Sequence, residues 1–150
     1  MPQSLAALYC HIVFSTKNRE PLIEANLEES LYAYVGGIVR ERKSALLAAG
    51  GMPDHVHLLV SMSRVWAVAD LVRDVKSNST GWIHDSKPDL LHFSWQAGYG
   101  AFSVSSSQLG LVRKYLAGQK THHAKQSFQD EFRELLALHG LEYDERYVWD

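Results

Sequence analysis

The stretch ALLAAGGMPDHVHLLVS, residues 45–61, decides the fold that this sequence predicts. Residues 45–50 and 55–61 are apolar runs of strand length, and the segment between them contains Gly, Pro and Asp, which favour tight turns. Two such runs joined by a short turn predict a β-hairpin. The hairpin lies in the middle of the chain, so the elements before and after it determine which sheet it joins.

Strand and helix patterns flank the hairpin in a regular order. Residues 5–14 are apolar and β-branched, which predicts a strand, and residues 26–43 repeat apolar side chains at helical spacing. Asn26 and Glu29 suit an N-cap and its capping-box partner. The other predicted elements are a helix at about 65–84, a strand at 100–104, and helices at 106–119 and 127–139, the last capped by Ser127 and ended by Gly140.

The order β-α-β-β-α-β, followed by helices, predicts an α+β fold of the ferredoxin-like type. Such a fold has a four-stranded antiparallel sheet with helices on one face, to which this chain adds its C-terminal helices. The glycine pair Gly36-Gly37 weakens the first helix, so we expect close packing there. With 150 residues and no repeat or linker, we expect a single domain over residues 1–150.

Composition limits where the protein works. The single cysteine, Cys10, excludes an internal disulfide and suits a reducing compartment. No apolar run reaches the roughly 18 residues that a membrane span needs. The first residues lack a basic segment followed by a cleavage site, so they do not resemble a signal peptide. We therefore expect a cytoplasmic protein without membrane contact.

The net charge of −2 conceals an uneven distribution. Residues 127–150 contain seven acids and two arginines, which leaves 13 bases against 10 acids in the remainder. A mildly basic body with an acidic C-terminal segment permits nucleic-acid binding through a local patch. A solvated surface without a partner is an equally simple interpretation.

Two histidines, His55 and His57, lie within the second strand of the hairpin. Residues two apart on a strand point to the same face, so both imidazoles project together while Val56 and Leu58 face the helices. On an open sheet face, such a pair offers two nitrogen ligands to a metal ion. The pair alone does not distinguish a metal site from two strand histidines without a ligand.

A tyrosine and a glutamine lie four residues apart in the predicted helix at 106–119, within the segment VRKYLAGQK. Tyr115 and Gln119 therefore share one helix face. A glutamine oxygen can complete a metal shell, and a tyrosine oxygen beside it could attack a phosphate once its proton is removed. When this spacing is considered alone, an ordinary amphipathic helix is the better explanation.

Taken together, the two motifs are more specific. A His-hydrophobic-His strand followed by Tyr-x-x-x-Gln on a helix resembles the HUH endonuclease superfamily, and within it the insertion-sequence-200-like single-tyrosine transposases. Similar stretches include YCHIVFSTKNREPLI, MPDHVHLLVSM, LVRDVKSNST, WQAGYGAFSVSSS and the C-terminal THHAKQSFQDEFRELLALHGLEYDERYVWD. The resemblance covers essentially the whole chain.

The resemblance implies a metal-dependent transposase that binds hairpins near the ends of a mobile element and cuts and rejoins single-stranded DNA. His55, His57 and Gln119 would hold a Mg²⁺ or Mn²⁺ ion, and Tyr115 would form a 5′-phosphotyrosine intermediate. The family implies a homodimer in which the tyrosine helix is shared between subunits, and association with the nucleoid on DNA. Gly118 departs from the family's usual charged or polar residue and could loosen Gln119.

Several side chains are candidates for contact with DNA. Cations would bind phosphates, and aromatic rings could stack on unpaired bases. For each of them, surface charge or core packing is an equally good explanation. The cations are Lys17, Arg19, Arg73, Lys76, Arg113, Lys114 and Lys120, with Lys87 as a further one, and the rings are Trp82, Trp95 and Tyr99.

Two other functions compete with an active transposase. A ferredoxin-like module could bind hairpin DNA or RNA without catalysis. A hydrolytic metalloenzyme could use the histidine pair, but the sequence presents no acidic ligand in register with it. His122 and His123 could form a second metal site, although we expect them to be exposed residues beside a helix.

Overall fold

The structure is a computed structural model that describes residues 2–150. One antiparallel sheet has the strand order β2-β3-β1-β4. The strands are β1 (Tyr9–Ser15), β2 (Ala45–Met52), β3 (His55–Ser61) and β4 (Gly100–Val104). The helices are α1 (Ala25–Glu41), α2 (Val68–Ser86), α3 (Leu109–Ala117), α4 (Gln119–His122) and α5 (Phe128–Leu138). The predicted α+β, ferredoxin-like fold is confirmed.

The first face of the sheet packs against α1 and α2. Alternate residues of the two central strands point to this side, among them Ile12 and Phe14 of β1 and Val56 and Leu58 of β3. These side chains are almost fully buried, and they join apolar residues of both helices in the larger hydrophobic core. The apolar face of the hairpin therefore packs against α1 and α2, as its alternating pattern predicts.

The second face of the sheet is covered as well, which corrects the expectation of an open face around the histidines. Phe128, Phe132 and Leu136 of α5 pack against Val13 and Phe102 in a second, smaller core. Helices α3 and α4 lie against the hairpin strand β2 on the same side. The histidine pair is consequently enclosed between the sheet and the C-terminal helices.

Helix boundaries differ from the predicted ones where the caps differ. Helix α1 begins after Glu24, which makes no side-chain capping bond, so the predicted Asn26 cap is wrong. The predicted helix at 106–119 is a short 3₁₀ turn followed by α3, and it is interrupted at Gly118 before α4 begins. The Ser127 cap of α5 is confirmed by its bond from the Asp130 amide, and Gly140 ends the helix at a φ of 67°.

Glycine allows α3 to approach the sheet closely. A Cβ at Gly50 of β2 would overlap the Leu116 carbonyl oxygen of α3, so only glycine fits between these two backbones. By contrast, Gly37 of α1 has no atom within 4 Å of such a Cβ, so the close packing expected for the glycine pair is absent at Gly37. In the described part of the chain, no helix is long and apolar enough to cross a bilayer.

Candidate metal and nucleophile site

The central strands hold His55 and His57 deep inside the protein, on the face that α5 covers. Both side chains are almost fully buried, with relative exposures of 1% and 0%. His57 lies opposite Val13 of β1, and its Nδ1 is 2.8 Å from Nε2 of His11, whose ring stacks on it. His55 Nδ1 bonds to the carboxylate of Asp54 at 2.7 Å. Each ring is therefore fixed by its Nδ1 atom, and its Nε2 atom faces α5.

Glu131 of α5 lies at the centre of this cluster. Its Oε1 atom is 2.9 Å from His57 Nε2, 2.9 Å from His123 Nε2 and 3.5 Å from His55 Nε2. Its Oε2 atom accepts hydrogen bonds from Gln119 Nε2, at 2.9 Å, and from the Tyr115 hydroxyl. One carboxylate thus contacts the three imidazoles through one oxygen and the predicted nucleophile through the other.

Tyr115 points from α3 into the same cluster. Its ring centroid is 5.8 Å from that of His57 and 6.2 Å from that of His11, with edge-to-face geometry in both pairs. A cleft of about 450 Å³ opens beside it, lined by apolar side chains such as Phe102 and Leu135 and by the acid Glu134. The tyrosine and the histidines of one chain are therefore neighbours, and the tyrosine borders an open cleft.

Gln119 is held firmly although Gly118 interrupts the helix before it. Its side chain is buried, its Oε1 atom is 3.1 Å from His55 Nε2, and its Nε2 atom donates to Glu131. Gly118 closes α3 through its amide, which bonds to the carbonyls of Lys114 and Tyr115. The break thus turns the chain so that Gln119 faces the histidines.

His123 belongs to this cluster, which corrects the expectation of an exposed helix flank. Its side chain is 4% exposed, its Nδ1 atom donates to the Gln126 carbonyl at 2.7 Å, and its Nε2 atom faces Glu131. His122 is more exposed, and its ring packs edge-on against Tyr115. Ligand atoms of His55, His57, His123 and Glu131 all lie within 4.8 Å of one another.

Burial and the shared carboxylate determine the protonation of the imidazoles. Burial lowers the pKa of His11 to about 3 and also lowers that of His57. Burial acts in the same direction on His55, but hydrogen bonds to Asp54 and Glu131 outweigh it and raise its pKa to about 9. The strand histidines therefore differ, with His57 neutral and His55 the preferred site of a proton.

The same contacts act on the acid and the phenol. Burial alone would raise the pKa of Glu131, but hydrogen bonds with His123, His55 and His57 hold it well below its usual range. Burial, together with the hydrogen bond and charge of Glu131, raises the pKa of Tyr115 far above its usual value. The phenol consequently stays protonated in this state and donates a hydrogen bond to the carboxylate.

Most of the predicted DNA-binding cations already have partners within the chain. Lys76 donates to the carbonyls of residues 96, 97 and 98, at 2.6–3.2 Å, and burial lowers its pKa to about 8. Arg73 pairs with Asp70 and Asp74, and Lys120 with Glu28. Arg113 donates to the Leu47 carbonyl, while Arg19 lies over the Trp149 ring at 5.9 Å. Lys17, Lys87 and Lys114 make none of these contacts.

The three predicted stacking rings differ in accessibility. Trp95 is buried and donates from Nε1 to Ser79. Trp82 stacks on Tyr34 with centroids 5.0 Å apart. Tyr99 is 38% exposed and lies 5.6 Å from the Lys76 ammonium. Of the three, only the Tyr99 ring is substantially open to solvent.

Sequence reasoning missed Glu131 and misjudged His123. From the sequence, Glu131 is one of the seven acids of the C-terminal segment, and the prediction that no acidic ligand is in register with the histidines is wrong. A signal was present: Glu131 lies on the inward stripe of α5 with Phe128, Phe132 and Leu136. A carboxylate among buried apolar positions needs a partner, because an unpaired buried charge is costly.

Solved structures share this fold. A protein of Deinococcus radiodurans R1 assigned as a transposase matches with a TM-score of 0.64 and 24% identity, over 79% of this chain and 98% of that one. A REP-associated tyrosine transposase bound to a REP hairpin matches with a TM-score of 0.60 and 13% identity, over 82% of this chain and 72% of that one. The fold is therefore that of the tyrosine transposases.

Sequence comparison identifies the family. Residues 4–119 match the family described as Transposase IS200 like. The ISDra2 transposase TnpA of Deinococcus radiodurans is 25% identical over 114 residues, which are 73% of this chain and 81% of that protein. The chain belongs to the IS200-like transposase family.

Proposed function

We propose that the protein is a metal-dependent transposase that binds hairpin ends of a mobile element and cleaves and rejoins single-stranded DNA through Tyr115. The observation that carries this proposal is the carboxylate of Glu131, which accepts the Tyr115 hydrogen bond and also contacts His57. A potential nucleophile and a cluster of metal-binding side chains thus converge on one residue. Membership of the transposase family agrees with this chemistry.

The donor atoms suit a divalent cation, Mg²⁺ or Mn²⁺. His55 and His57 present buried Nε2 atoms, and Gln119 presents its Oε1 atom 3.1 Å from Nε2 of His55. When bound, such an ion polarises the scissile phosphate and offsets the negative charge that develops during the reaction. The residues fit this role because imidazole and amide oxygen are both ordinary metal ligands.

Tyr115 Oη attacks the phosphorus atom of the scissile phosphodiester in this proposal. A bond forms between Oη and phosphorus, and the bond from phosphorus to the 3′ oxygen breaks. That oxygen takes a proton from water as it leaves, so the products are a 5′-phosphotyrosine and a free 3′-hydroxyl. The phenol proton passes to Oε2 of Glu131, which already accepts that hydrogen bond. Because the phosphotyrosine retains the energy of the phosphodiester, a 3′-hydroxyl can reverse the step without ATP.

The cleft beside Tyr115 is where an unpaired strand would enter. Apolar side chains including Phe102, Leu111 and Leu135 line it, and such a wall suits the face of a base better than a phosphate. Lys17 and Lys114 are exposed, and their side chains form no ion pair or hydrogen bond within residues 2–150, so they can contact the backbone of a hairpin. A REP hairpin bound to a structural relative supports this class of ligand.

The resemblance to the family also leads us to propose a homodimer that works in the cytoplasm on nucleoid DNA. In the single chain, Tyr115 and His57 contact the same Glu131, so a site made by one subunit is geometrically available. Sharing of the tyrosine helix between subunits is therefore not required for a complete site.

Covalent capture tests the proposed reaction. The full chain is incubated with Mn²⁺ and a library of single-stranded DNA hairpins with randomised flanks, then denatured and run on a gel. Wild type should yield a protein–DNA adduct. Tyr115→Phe should yield none, because the variant lacks the attacking oxygen, and it should still shift the hairpins in a native gel.

Tyr143→Phe is the matched control, because Tyr143 is an exposed tyrosine outside the cluster, and it should form the adduct like wild type. An adduct in Tyr115→Phe would refute the assignment of the nucleophile. Hairpin binding by wild type without any adduct would favour the non-catalytic binding module instead.

A further inference from the structure

The buried cluster contains more metal-binding groups than the proposed reaction uses. His123 Nε2 and Glu131 Oε1 are 2.9 Å apart, and both belong to the group of four ligand atoms that lie within 4.8 Å of one another. Both side chains are nearly inaccessible to solvent, with exposures of 4% and 1%. They reach the histidine pair from the C-terminal segment, beyond the 4–119 stretch that matches the family.

The Nδ1 atoms of two of these imidazoles already have acceptors within the chain. His123 Nδ1 bonds to a backbone carbonyl and His55 Nδ1 to a carboxylate, so each Nδ1 must carry the hydrogen. In each ring the Nε2 atom is therefore the nitrogen that faces the cluster. The Nε2 atom of His123 faces Glu131 Oε1 at 2.9 Å, and that of His55 faces Gln119 Oε1 at 3.1 Å.

The ligand atoms of His55, His57, His123 and Glu131 all lie within 4.8 Å of one another, so a single cation between them can contact all four. The fixed Nδ1 atoms are also what metal-binding histidines show, since the second ring nitrogen usually donates to a carbonyl or carboxylate.

We propose that His123 and Glu131 complete the metal centre of this chain, giving a set of three histidines and one carboxylate that prefers a transition-metal ion to Mg²⁺. Gln119 remains beside this set as a possible oxygen donor, and its Nε2 bond to Oε2 turns Oε1 of Glu131 toward the imidazoles. Three nitrogens suit Mn²⁺, Co²⁺ or Zn²⁺, whereas Mg²⁺ favours oxygen ligands in octahedral geometry. This inference rests on the proposed function and specifies its metal site.

The two carboxylate oxygens of Glu131 have different partners in this arrangement. Oε1 faces the imidazoles of His55, His57 and His123. Oε2 faces Tyr115 and Gln119, with Nε2 of His122 at 3.5 Å. The carboxylate would therefore bind the ion and hold the phenol next to it at the same time. Because Glu131 belongs to α5, loading the metal would also tie this helix to the sheet.

Pulsed electron paramagnetic resonance of bound Mn²⁺ tests the ligand set without any measurement of activity. Apo-protein is titrated with Mn²⁺, and the number of coordinated imidazole nitrogens is counted from their couplings. Wild type should show three, from His55, His57 and His123. His123→Ala should show two. His92→Ala, which removes an exposed imidazole, should leave three.

Affinity for Mn²⁺ tests the carboxylate. Glu131→Gln keeps the shape of the side chain but loses its charge, and it should weaken Mn²⁺ binding by at least about 10–100-fold. Glu134→Gln, in the same helix and outside the ligand set, should bind Mn²⁺ like wild type. Equimolar Mg²⁺ should not displace Mn²⁺ from wild type. Circular dichroism confirms that each variant is folded.

Two coordinated nitrogens in wild type, or unchanged affinity in folded Glu131→Gln, would overturn the inference. The number of imidazole nitrogens that coordinate Mn²⁺ in wild type tests the inference even when a variant does not fold. If two nitrogens are found while the covalent adduct forms, the proposed function stands and this inference fails. If three are found and no adduct forms, the inference stands and the proposed reaction fails.

Discussion

Two lysines illustrate why the exposure of the ammonium group determines which cations can contact DNA. Lys76 gives its hydrogens to three backbone carbonyls between α2 and β4, so its ammonium is occupied inside the protein. Lys114 lies on the outer face of α3, one residue before the proposed nucleophile, and is exposed. Both were candidates for phosphate contact in the sequence, and the structure gives them different environments.

Replacement of these lysines should therefore have opposite effects. Lys76→Met retains the apolar stem but leaves carbonyls without a donor, so we expect the free energy of unfolding to fall by about 1–3 kcal/mol. Lys114→Ala should leave that free energy within about 0.5 kcal/mol of wild type. It should reduce the salt dependence of hairpin binding by about one phosphate contact.

Urea titrations measure the free energy of unfolding, and fluorescence anisotropy at several salt concentrations measures hairpin binding. A normal urea midpoint for Lys76→Met would contradict the structural role assigned to its ammonium. An unchanged salt dependence for Lys114→Ala would show that this lysine does not contact the DNA backbone.

At the same scale, some site residues could be predicted from the sequence and others could not. His55 and His57 share a face because strand geometry requires it. The place of Glu131 in the site could not be predicted, because its contact with His57 joins residues 74 positions apart and no local sequence pattern indicates such a contact. The apolar stripe of α5 showed that position 131 faces inward, but not which side chains it meets.

At the scale of elements, the position of α3 depends on a single glycine. Gly50 of β2 lets the carbonyl of Leu116 come into contact with the strand backbone. Leu116 follows Tyr115 directly, so this contact sets the depth at which the tyrosine enters the cluster. Helix α3 is short, and Leu116 is its only fully buried residue, so the depth of the helix depends strongly on this contact.

Gly50→Ala should displace α3, since the overlap is with backbone and no rotamer change can relieve it. We expect a loss of about 1–3 kcal/mol in the free energy of unfolding. We also expect slower formation of the covalent adduct, because Tyr115 moves with the helix. Thermal unfolding and a time course of adduct formation measure the two effects.

Gly110→Ala is the control within the same helix. A Cβ at Gly110 has no atom within 4 Å, so alanine should add about 1 kcal/mol of helix stability and leave adduct formation unchanged. If Gly50→Ala were as stable and as active as wild type, the close approach of α3 to β2 would not matter for the site.

Element types were predictable and element docking was not. The hairpin at 45–61 and the two long helices follow from periodicity, and the Ser127 cap follows from local chemistry. The predicted cap of α1 is wrong because the helix begins directly after Glu24, which makes no side-chain capping bond. The covering of the second sheet face depends on long-range packing of α5, which periodicity cannot assign to a particular surface.

At the scale of the whole molecule, both faces of the sheet are occupied, and the site lies between the sheet and the C-terminal helices. One chain brings Tyr115, His57 and Glu131 together, so each subunit of a dimer would hold a complete site. That residues 1–150 act as one domain, and that the protein forms a homodimer, remain predictions.

Mixing of two inactive variants distinguishes the possible dimers. Tyr115→Phe and His57→Ala should each fail to form the adduct, and co-refolding of the two should not restore it if each site is made by one chain. Light scattering should give the mass of two chains for the mixture and for wild type. Recovery of the adduct in the mixture would show that the tyrosine helix is shared.

The carboxylate at the centre of the site is also one of its last parts to be synthesised. Glu131 leaves the ribosome 74 residues after His57, which at synthesis rates of about 5–20 residues per second means roughly 4–15 s. During that interval the sheet can form, but the tyrosine and the histidines have no common partner. The nascent chain is therefore without a complete site until α5 has emerged and docked.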